Sequence, residues 1–433
     1  MKLRILTAIA ALSLCFSNTS LTGSITSGTS SSDWPQWRGP ERNGTSKERG
    51  LLKQWPAGGP KLLWQVSDIG DGYSTPAVVG NRIYLMSNRG MDNEYVQALS
   101  TDDGKVIWAT RVGNVGNPNQ NPPYPKARST PTIDGGLVYA LGSDGDLVCI
   151  EAGSGKIRWE KNIRKEFGGQ PGEWAYAESP LVDRDVVIVT PGGAQATIVA
   201  LNKKTGAVIW KSAVPGGDPA GYASAIIVNG GGKKQYVQFL SKGLVGVDAA
   251  TGQFLWRYAE VAKGPAQYFT PVASGEYVYG GALGIGGGLV RLNADAGGVK
   301  VEQIYFERGL PNGLGGAVLV GDHLYGTDIA RGPFVVIEFK TGKVKWETES
   351  TGRVSITYAD GLLYLHGLNG DVALIEASPE AYREKGRFTP PNQPHHKKLG
   401  DYPEQAFAHP VIANGRLYIR DLESLWAYDI KAR

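Results

Sequence analysis

Nine residues of the chain are the best candidates for binding a ligand, and each lies just ahead of a short apolar segment. They are Tyr73, Arg128, Trp174, Tyr176, Glu178, Tyr222, Tyr268, Arg353 and His409. Aromatic faces can hold a flat ligand or a sugar, and the two arginines can bind carboxylates through paired hydrogen bonds. Arg128, Glu178 and His409 are the strongest of the set, because an ionisable group near a buried strand needs a partner.

The same residues are also compatible with plain packing. Tyrosines can fill a narrow channel, and Arg128 with Glu178 can form a purely structural ion pair. No catalytic residue is identified, because the sequence has no HExxH, G-x-S-x-G, P-loop or Cys-x-x-Cys-His motif. His395 and His396 adjoin in a loop rich in Pro and Lys without a second ligand cluster, so we expect them to be solvated rather than to bind a metal.

A repeated phrase indicates which elements must position these residues. In Ala200 to Trp210, for example, apolar residues flank the turn Lys-Lys-Thr-Gly, and the Gly stands four residues before the Trp. Such a Gly fits a turn with positive φ, and the alternating apolar residues on either side are typical of strands. The same Trp recurs at Trp64, Trp108, Trp159, Trp210, Trp256 and Trp346.

The repeat length decides the fold class. The first steps between these tryptophans are 44, 51, 51 and 46 residues, and the last, of 90, is two steps of about 45. Degenerate copies lie near Val301 to Tyr305 and at Ala373 to Arg387. A repeat of 40 to 50 residues with several short strands predicts an all-β propeller of four-stranded blades.

The number of inner strands predicts eight blades. These strands are expected to begin near Pro76, Pro131, Pro180, Ala225, Pro271, Ala317, Ser355 and Pro410. The eighth copy ends before its Trp strand, whereas Lys61 to Val66 carries Trp64 with no strands before it. We therefore expect this N-terminal strand to complete the last blade and close the ring, which leaves only short sheet edges.

The N-terminal part of the chain is expected to precede the propeller domain, which spans residues 61–433. Residues 1–25 resemble a signal peptide, with basic Lys2 and Arg4 followed by an apolar run too short to span a membrane. Leu14 is too bulky for lipoprotein cleavage before Cys15, so soluble export to the periplasm or medium is favoured over lipidation. Residues 26–60 then form an extended segment.

Within that segment, Asp33 to Gly44 carries two Trp, two Pro and two Arg. We expect it to lie on the outer surface or on one face of the ring, either as a structural clasp or as a ligand contact. Cys149, the one cysteine beyond the signal segment, should pack as a small apolar residue. The net charge of +4 leaves no nucleic-acid footprint, and we expect a monomer.

The repeated Ala-x-Asx-x-x-Thr-Gly-x-x-x-Trp phrase resembles the tryptophan-docking repeat of the pyrroloquinoline quinone (PQQ) propeller superfamily. That superfamily contains quinoprotein alcohol dehydrogenases and the outer-membrane assembly lipoprotein BamB, both eight-bladed, and the resemblance covers about residues 56–433. The stretches Trp34 to Pro40, Gly72 to Pro76 and Leu417 to Asp421 are similar to those of exported bacterial PQQ-like repeat proteins.

The resemblance implies two classes of function. One is a non-catalytic envelope scaffold, similar to BamB, that binds a protein or a carbohydrate. The other is a periplasmic oxidoreductase that uses PQQ and calcium to oxidise an alcohol or a sugar. The chain lacks the vicinal Cys-Cys pair of the dehydrogenases, no Asp matches their base, and only Glu178 could stand in as a calcium ligand. The scaffold is therefore favoured.

Overall fold

The structure is a computed structural model that describes residues 32–432, apart from 122–124, 265, 297 and 400–401. It is an eight-bladed β-propeller in which each blade is a four-stranded antiparallel sheet. The first strand is β1 (Lys61–Val66). One helix of a single turn, α1 (Ile163–Glu166), and one 3-10 helix, Glu260–Lys263, are the only helical elements in these residues.

The first four blades follow β1 in chain order, from the inner to the outer strand. Blade 1 contains β2 (Ala77–Val79), β3 (Arg82–Asn88), β4 (Glu94–Ser100) and β5 (Val106–Gly113). Blade 2 contains β6 (Thr132–Asp134), β7 (Leu137–Leu141), β8 (Asp146–Glu151) and β9 (Ile157–Asn162). Blade 3 contains β10 (Leu181–Asp183), β11 (Val186–Val189), β12 (Ile198–Asn202) and β13 (Val208–Ser212). Blade 4 contains β14 (Ile226–Gly230), β15 (Lys233–Leu240), β16 (Gly243–Asp248) and β17 (Phe254–Tyr258).

The remaining blades repeat this order, and a short hairpin separates blades 7 and 8. Blade 5 contains β18 (Val272–Ser274), β19 (Tyr277–Ala282), β20 (Gly286–Asp295) and β21 (Gly298–Glu307). Blade 6 contains β22 (Val318–Val320), β23 (His323–Thr327), β24 (Phe334–Glu338) and β25 (Val344–Thr348). Blade 7 contains β26 (Val354–Ala359), β27 (Leu362–Gly367), β28 (Val372–Glu376) and β29 (Glu384–Phe388). The hairpin is β30 (Lys398–Leu399) and β31 (Tyr402–Pro403), and blade 8 contains β32 (Val411–Ala413), β33 (Arg416–Asp421) and β34 (Ser424–Asp429).

The expected blade count and ring closure are confirmed. Each inner strand begins within about two residues of its predicted start, and β1 pairs with β34 as the outer strand of blade 8. The first strand therefore shares one sheet with the last three, so ring closure does not depend on side-chain contacts alone.

Tryptophan docking joins consecutive blades. Gly252 has a φ of +74°, and a Cβ at this position would lie 2.4 Å from the ring of Trp210 in the preceding blade. The indole N–H of Trp64 donates to Thr101 O at 2.8 Å, also in the next blade. Tyr305 takes the place of the missing tryptophan in blade 5, where its hydroxyl donates to Phe339 O at 2.7 Å. The glycine of the repeated phrase is thus needed both for its backbone angle and for the ring that lies on it.

Blade 7 replaces the docking tryptophan in a different way. Gly386 occupies the expected Trp position in the β28–β29 register, with a φ of +152°. Trp55, from the segment ahead of β1, packs over it, and a Cβ on Gly386 would lie 2.6 Å from the Trp55 Cβ. Trp55 is 4% exposed and contacts the ring of Phe388 with centroids 5.2 Å apart. The degenerate copy is therefore completed by a residue distant in sequence.

The expected position of the Asp33 to Gly44 stretch is wrong. Residues 33–46, here called the axial hairpin, lie inside the central channel rather than on the outer surface or a face. Trp34 pairs with Val78 of β2, and Gly44 O accepts a hydrogen bond of 2.8 Å from Tyr358 N of β26. Backbone groups of the inner strands that face the channel need hydrogen-bond partners, and the channel of an eight-bladed ring is wide enough to admit a chain segment. The axial hairpin provides partners and fills the channel.

Buried arginines hold the axial hairpin in place. Arg38 donates to the carbonyls of Gly315 and Ala317, and Arg42 donates to Ser179 O at 2.8 Å. Within the described residues, bonds from the hairpin or its flanks reach seven of the eight blades. Burial lowers the pKa of both guanidinium groups, but their carbonyl acceptors stabilise the charged form.

Other sequence expectations have mixed outcomes. Cys149 is fully buried in β8, as predicted. The expectation that both loop histidines are solvated is wrong for His396, whose Nε2 lies 2.7 Å from Asp421 Oδ2, whereas His395 is exposed. Among the described residues, no helix has the length and apolar character needed to cross a bilayer. The signal segment 1–25 and the lipidation question at Cys15 fall outside these residues.

Candidate functional site

An axial cavity of about 560 Å³ lies at the loop end of the propeller, on the side opposite the turns between inner and second strands. Its volume is in the range of sites that enclose a small ligand. Six aromatic rings line it: Trp37, Tyr73, Trp174, Tyr222, Tyr268 and Phe407. Because the cavity is lined by segments from many blades, no single repeat contains the site.

The loops leading into the inner strands hold these rings by their backbones. Tyr73 N donates to Ala127 O at 2.7 Å, and Tyr222 N donates to Gln267 O at 2.8 Å. The rings also contact one another, with Tyr73 and Phe407 centroids 4.9 Å apart in an edge-to-face arrangement. These contacts between neighbouring blades give the cavity wall a defined shape before any ligand arrives.

Trp37 lies at the tip of the axial hairpin and lines the cavity. Its indole N–H donates to Thr270 Oγ1 at 2.9 Å, and its ring meets that of His409 edge-on with centroids 4.8 Å apart. Both ends of the hairpin return to the turn end of the ring, where Gly80 N donates to Asp33 Oδ1 and Gly415 N to Glu48 Oε2. Trp37 is therefore presented to the cavity from the turn end.

His409 is buried behind Trp37 and is held neutral. Its Nδ1 lies 3.2 Å from Ile356 O, and its backbone N donates to Thr75 Oγ1 at 3.0 Å. Burial and the nearby Arg38 guanidinium lower the pKa of His409 to about 3. At neutral pH the imidazole therefore carries no charge.

Two arginines bring positive charge to the cavity. Arg128 is partly buried and donates to Trp174 O and to Gln120 Oε1, the latter at 2.7 Å. Arg353 is exposed at the cavity edge and donates to Ala330 O at 3.3 Å. In the described lining of the cavity there is no Asp or Glu to neutralise them.

Seven of the nine predicted site residues line the cavity: Tyr73, Arg128, Trp174, Tyr222, Tyr268, Arg353 and His409. The structure does not bring Tyr176 and Glu178 to it. Side chains alternate along the extended chain before β10, so Ala177 and Ser179 face the cavity while the two predicted residues face the other way.

Tyr176 and Glu178 have structural surroundings instead. The Tyr176 hydroxyl donates to Pro191 O at 2.8 Å, and its ring packs between blades 2 and 3. Glu178 accepts hydrogen bonds from Thr190 N and from Gln238 Nε2, the latter at 2.9 Å. Burial raises the pKa of Glu178 to about 7, although Arg42 lies close enough to oppose the shift.

Sequence reasoning did not assign Trp37 to the site. The signal was present, because two Trp with Pro and Arg in an otherwise polar N-terminal stretch are unusual. That stretch lacks the strand repeat, however, and nothing local indicates that it enters the channel. Gln405 and Leu314 also line the cavity and have no distinguishing pattern.

The residues of the cavity do not fit a calcium-bound quinone. Calcium needs six to eight oxygen ligands with carboxylates among them, and the one expected stand-in, Glu178, faces away. Across the described residues no group of three or more His, Cys, Asp or Glu side chains is arranged to hold a metal ion. The two cysteines, at positions 15 and 149, cannot form a vicinal disulfide.

Comparison with known proteins agrees with this architecture. A family model described as outer membrane protein assembly factor BamB matches residues 45–173 and 92–348, which together exceed half of the chain. The chain belongs to the PQQ-like, BamB-like β-propeller family. BamB of Alkalilimnicola ehrlichii is 29% identical over 140 residues, which is 32% of each chain. The match thus spans about a third of that relative.

A second relative matches a longer part of this chain. Tetrathionate hydrolase of Acidithiobacillus ferrooxidans is 22% identical over 345 residues, or 70% of this chain and 56% of the hydrolase. Two solved structures share the fold. BamB from Moraxella catarrhalis has a TM-score of 0.59 at 16% identity, and the alignment covers 85% of this chain and 98% of the BamB chain. Quinohemoprotein alcohol dehydrogenase from Comamonas testosteroni has a TM-score of 0.58 at 13% identity, with coverages of 93% and 81%.

Proposed function

We propose that the protein is a non-catalytic binding scaffold of the cell envelope and that its axial cavity binds a carbohydrate ring. One observation carries the proposal: six aromatic rings and two arginines line the cavity, and its described lining contains no carboxylate. The apolar faces of sugar rings pack on aromatic side chains, and the small volume suits one or two rings. The bound sugar would lie against Trp37 at the tip of the axial hairpin.

The chemistry of the lining supports binding rather than catalysis. A general acid or base needs an ionisable group within hydrogen-bond reach and a pKa near the working pH. His409 is buried behind Trp37 with a pKa lowered to about 3, and a guanidinium group is too weak an acid to exchange protons with a substrate. A scaffold needs none of these groups to exchange protons.

The envelope location rests on separate support. The basic and apolar start of residues 1–25 is typical of an exported protein. The relatives that match the repeats are named outer membrane protein assembly factors. A protein partner bound to the outer strands of the blades would leave the axial cavity open to a carbohydrate.

Calorimetric titration of the purified mature protein with a panel of monosaccharides and disaccharides tests the proposal. We expect saturable binding of at least one sugar with one site per chain. Trp37→Ala should weaken it about fivefold, because a lost aromatic contact is worth about 1 kcal/mol. Trp37→Phe keeps an aromatic face and should bind nearly as well. A panel with no saturable binding at millimolar concentrations would refute the sugar site.

Titration with PQQ in the presence and absence of calcium separates the scaffold from the oxidoreductase. We expect calcium to make no difference, because the cavity lining provides no carboxylate for it. Tight binding that requires calcium would overturn the scaffold proposal and would call for a dye-reduction assay over alcohols and sugars.

A further inference from the structure

A second space adjoins the axial cavity. This outer chamber, of about 660 Å³, is formed by loops of blades 6 to 8. It shares Arg353, Leu368 and Gln405 with the lining of the axial cavity. The two spaces therefore meet at these side chains.

Most charged groups of the outer chamber are already engaged. Arg331 Nε donates to Asp328 Oδ2 at 2.6 Å and its Nη2 to Glu347 Oε2 at 3.0 Å. His396 is paired with Asp421, and Glu404 with Lys126. Their charges are thus balanced within the protein, and rearranging them for a ligand would cost the existing bonds.

Arg353 differs from these groups. It is exposed, and among the described residues its hydrogen bond is the one of 3.3 Å to Ala330 O. A guanidinium carries five N–H donors, so most of its donors face solvent at the junction of the two spaces. Glu349 also lines the chamber and is exposed, but it does not line the axial cavity.

We propose that the preferred ligand is an acidic sugar, with its ring in the aromatic cavity and its carboxylate bound by Arg353. This inference rests on the proposed carbohydrate function and adds the charge of the ligand. A carboxylate matches the planar guanidinium through two parallel hydrogen bonds. Arg128 contributes a second positive charge deeper in the cavity, and no described lining carboxylate repels the ligand there.

Matched sugars test the inference. The methyl glycosides of glucuronic and galacturonic acid differ from those of glucose and galactose only in the carboxylate. Calorimetric titration of the mature protein with all four should show at least tenfold tighter binding of one acidic sugar than of its neutral counterpart. The preference should fall as salt is added, because an exposed ion pair is screened.

Two arginine variants then assign the preference. Arg353→Gln should bring the affinities for the acidic and the neutral sugar of each pair together, and Arg353→Lys should restore part of the difference. Arg331→Gln is the matched control, since it removes the same charge from the same chamber but from a guanidinium that is already paired. It should keep the preference.

The outcomes separate this inference from the proposed function. Equal binding of acidic and neutral sugars would overturn the acidic ligand, and a preference that survives Arg353→Gln would overturn the assignment of the carboxylate to Arg353. Either result would leave the carbohydrate scaffold standing. Failure of all four sugars to bind would overturn the acidic ligand as stated, and the wider sugar panel would then decide the scaffold.

Discussion

Replacing Trp55 tests the idea that the N-terminal segment completes blade 7. Trp55 is 4% exposed and packs between Phe388 and Tyr364, with centroids 5.2 and 5.9 Å away. A tryptophan buries roughly 200 Å², which at about 25 cal/mol per Å² corresponds to about 5 kcal/mol as an upper value. Alanine keeps part of that burial, so Trp55→Ala should lower the free energy of unfolding by about 3 to 4 kcal/mol.

The conservative variant separates volume from hydrogen bonding. The Trp55 indole N–H has no hydrogen-bond partner among the described residues, so Trp55→Phe loses no bond and should cost about 1 kcal/mol through reduced packing. Leu62→Ala is the surface control, because Leu62 is 37% exposed on β1, and its change should stay within about 0.5 kcal/mol.

Urea unfolding followed by far-UV circular dichroism measures these differences without relying on the altered fluorescence. Limited trypsin digestion gives a local readout, because Lys53 is exposed beside the Trp55 contact and cleavage there should accelerate in Trp55→Ala. A cost below about 1 kcal/mol for Trp55→Ala, with unchanged digestion at Lys53, would refute the claim that this residue replaces a docking tryptophan.

Three further predictions concern other parts of the ring. Gly252→Ala should cost at least about 2 kcal/mol, because its Cβ would meet the Trp210 ring at 2.4 Å in addition to the strain of a φ of +74°. Gly275→Ala has a similar φ of +57° with nothing within 4 Å, so urea unfolding should show about half that cost or less. Burial raises the pKa of Glu94 to about 8, so the folded state binds more protons than the unfolded state and the free energy of unfolding should fall as pH rises from about 4.5 to about 8. Glu94→Gln should flatten that slope in unfolding curves recorded across the range, and an unchanged slope would contradict the assignment. The bond to Asp421 raises the pKa of His396, so its stabilising contribution should be present below about pH 6.5 and disappear as pH rises past the folded value. The difference between wild type and His396→Gln, about 1 kcal/mol under acidic conditions, should therefore shrink under alkaline conditions; a difference that grows with pH would refute the pairing.

The spacing of repeated residues was enough to predict the blades. A turn glycine four residues before a tryptophan specifies a turn and the two strands that it joins. Each repeat carries the same signal, so each predicts the same pair of strands. Seven of the nine candidate site residues lie around one cavity, since equivalent positions of a repeat lie at equivalent places around an axis.

The two misplaced residues fail for a reason that the repeat does not encode. Tyr176 and Glu178 lie in the right loop, but the phase of side-chain alternation decides which residues face the axis. Ala175 has a φ of +64°, a backbone conformation that non-glycine residues rarely adopt. No pattern in the sequence predicts it here. The phase after such a turn is set by packing between blades 2 and 3.

By itself, the sequence determined the all-β class, the eight blades and the closing strand, because these follow from contacts between residues that are close in the chain or periodic along it. Only the tertiary structure decided the location of the axial hairpin, the substitution of Trp55 at Gly386 and the emergence of a cavity above Trp37. These features depend on single contacts between distant segments, such as Arg42 with Ser179 and Trp37 with Thr270. The non-repeated hairpin bonds to backbone groups and fills space that the blades leave unpaired and empty inside the channel. Those groups and that space exist only once the ring has closed.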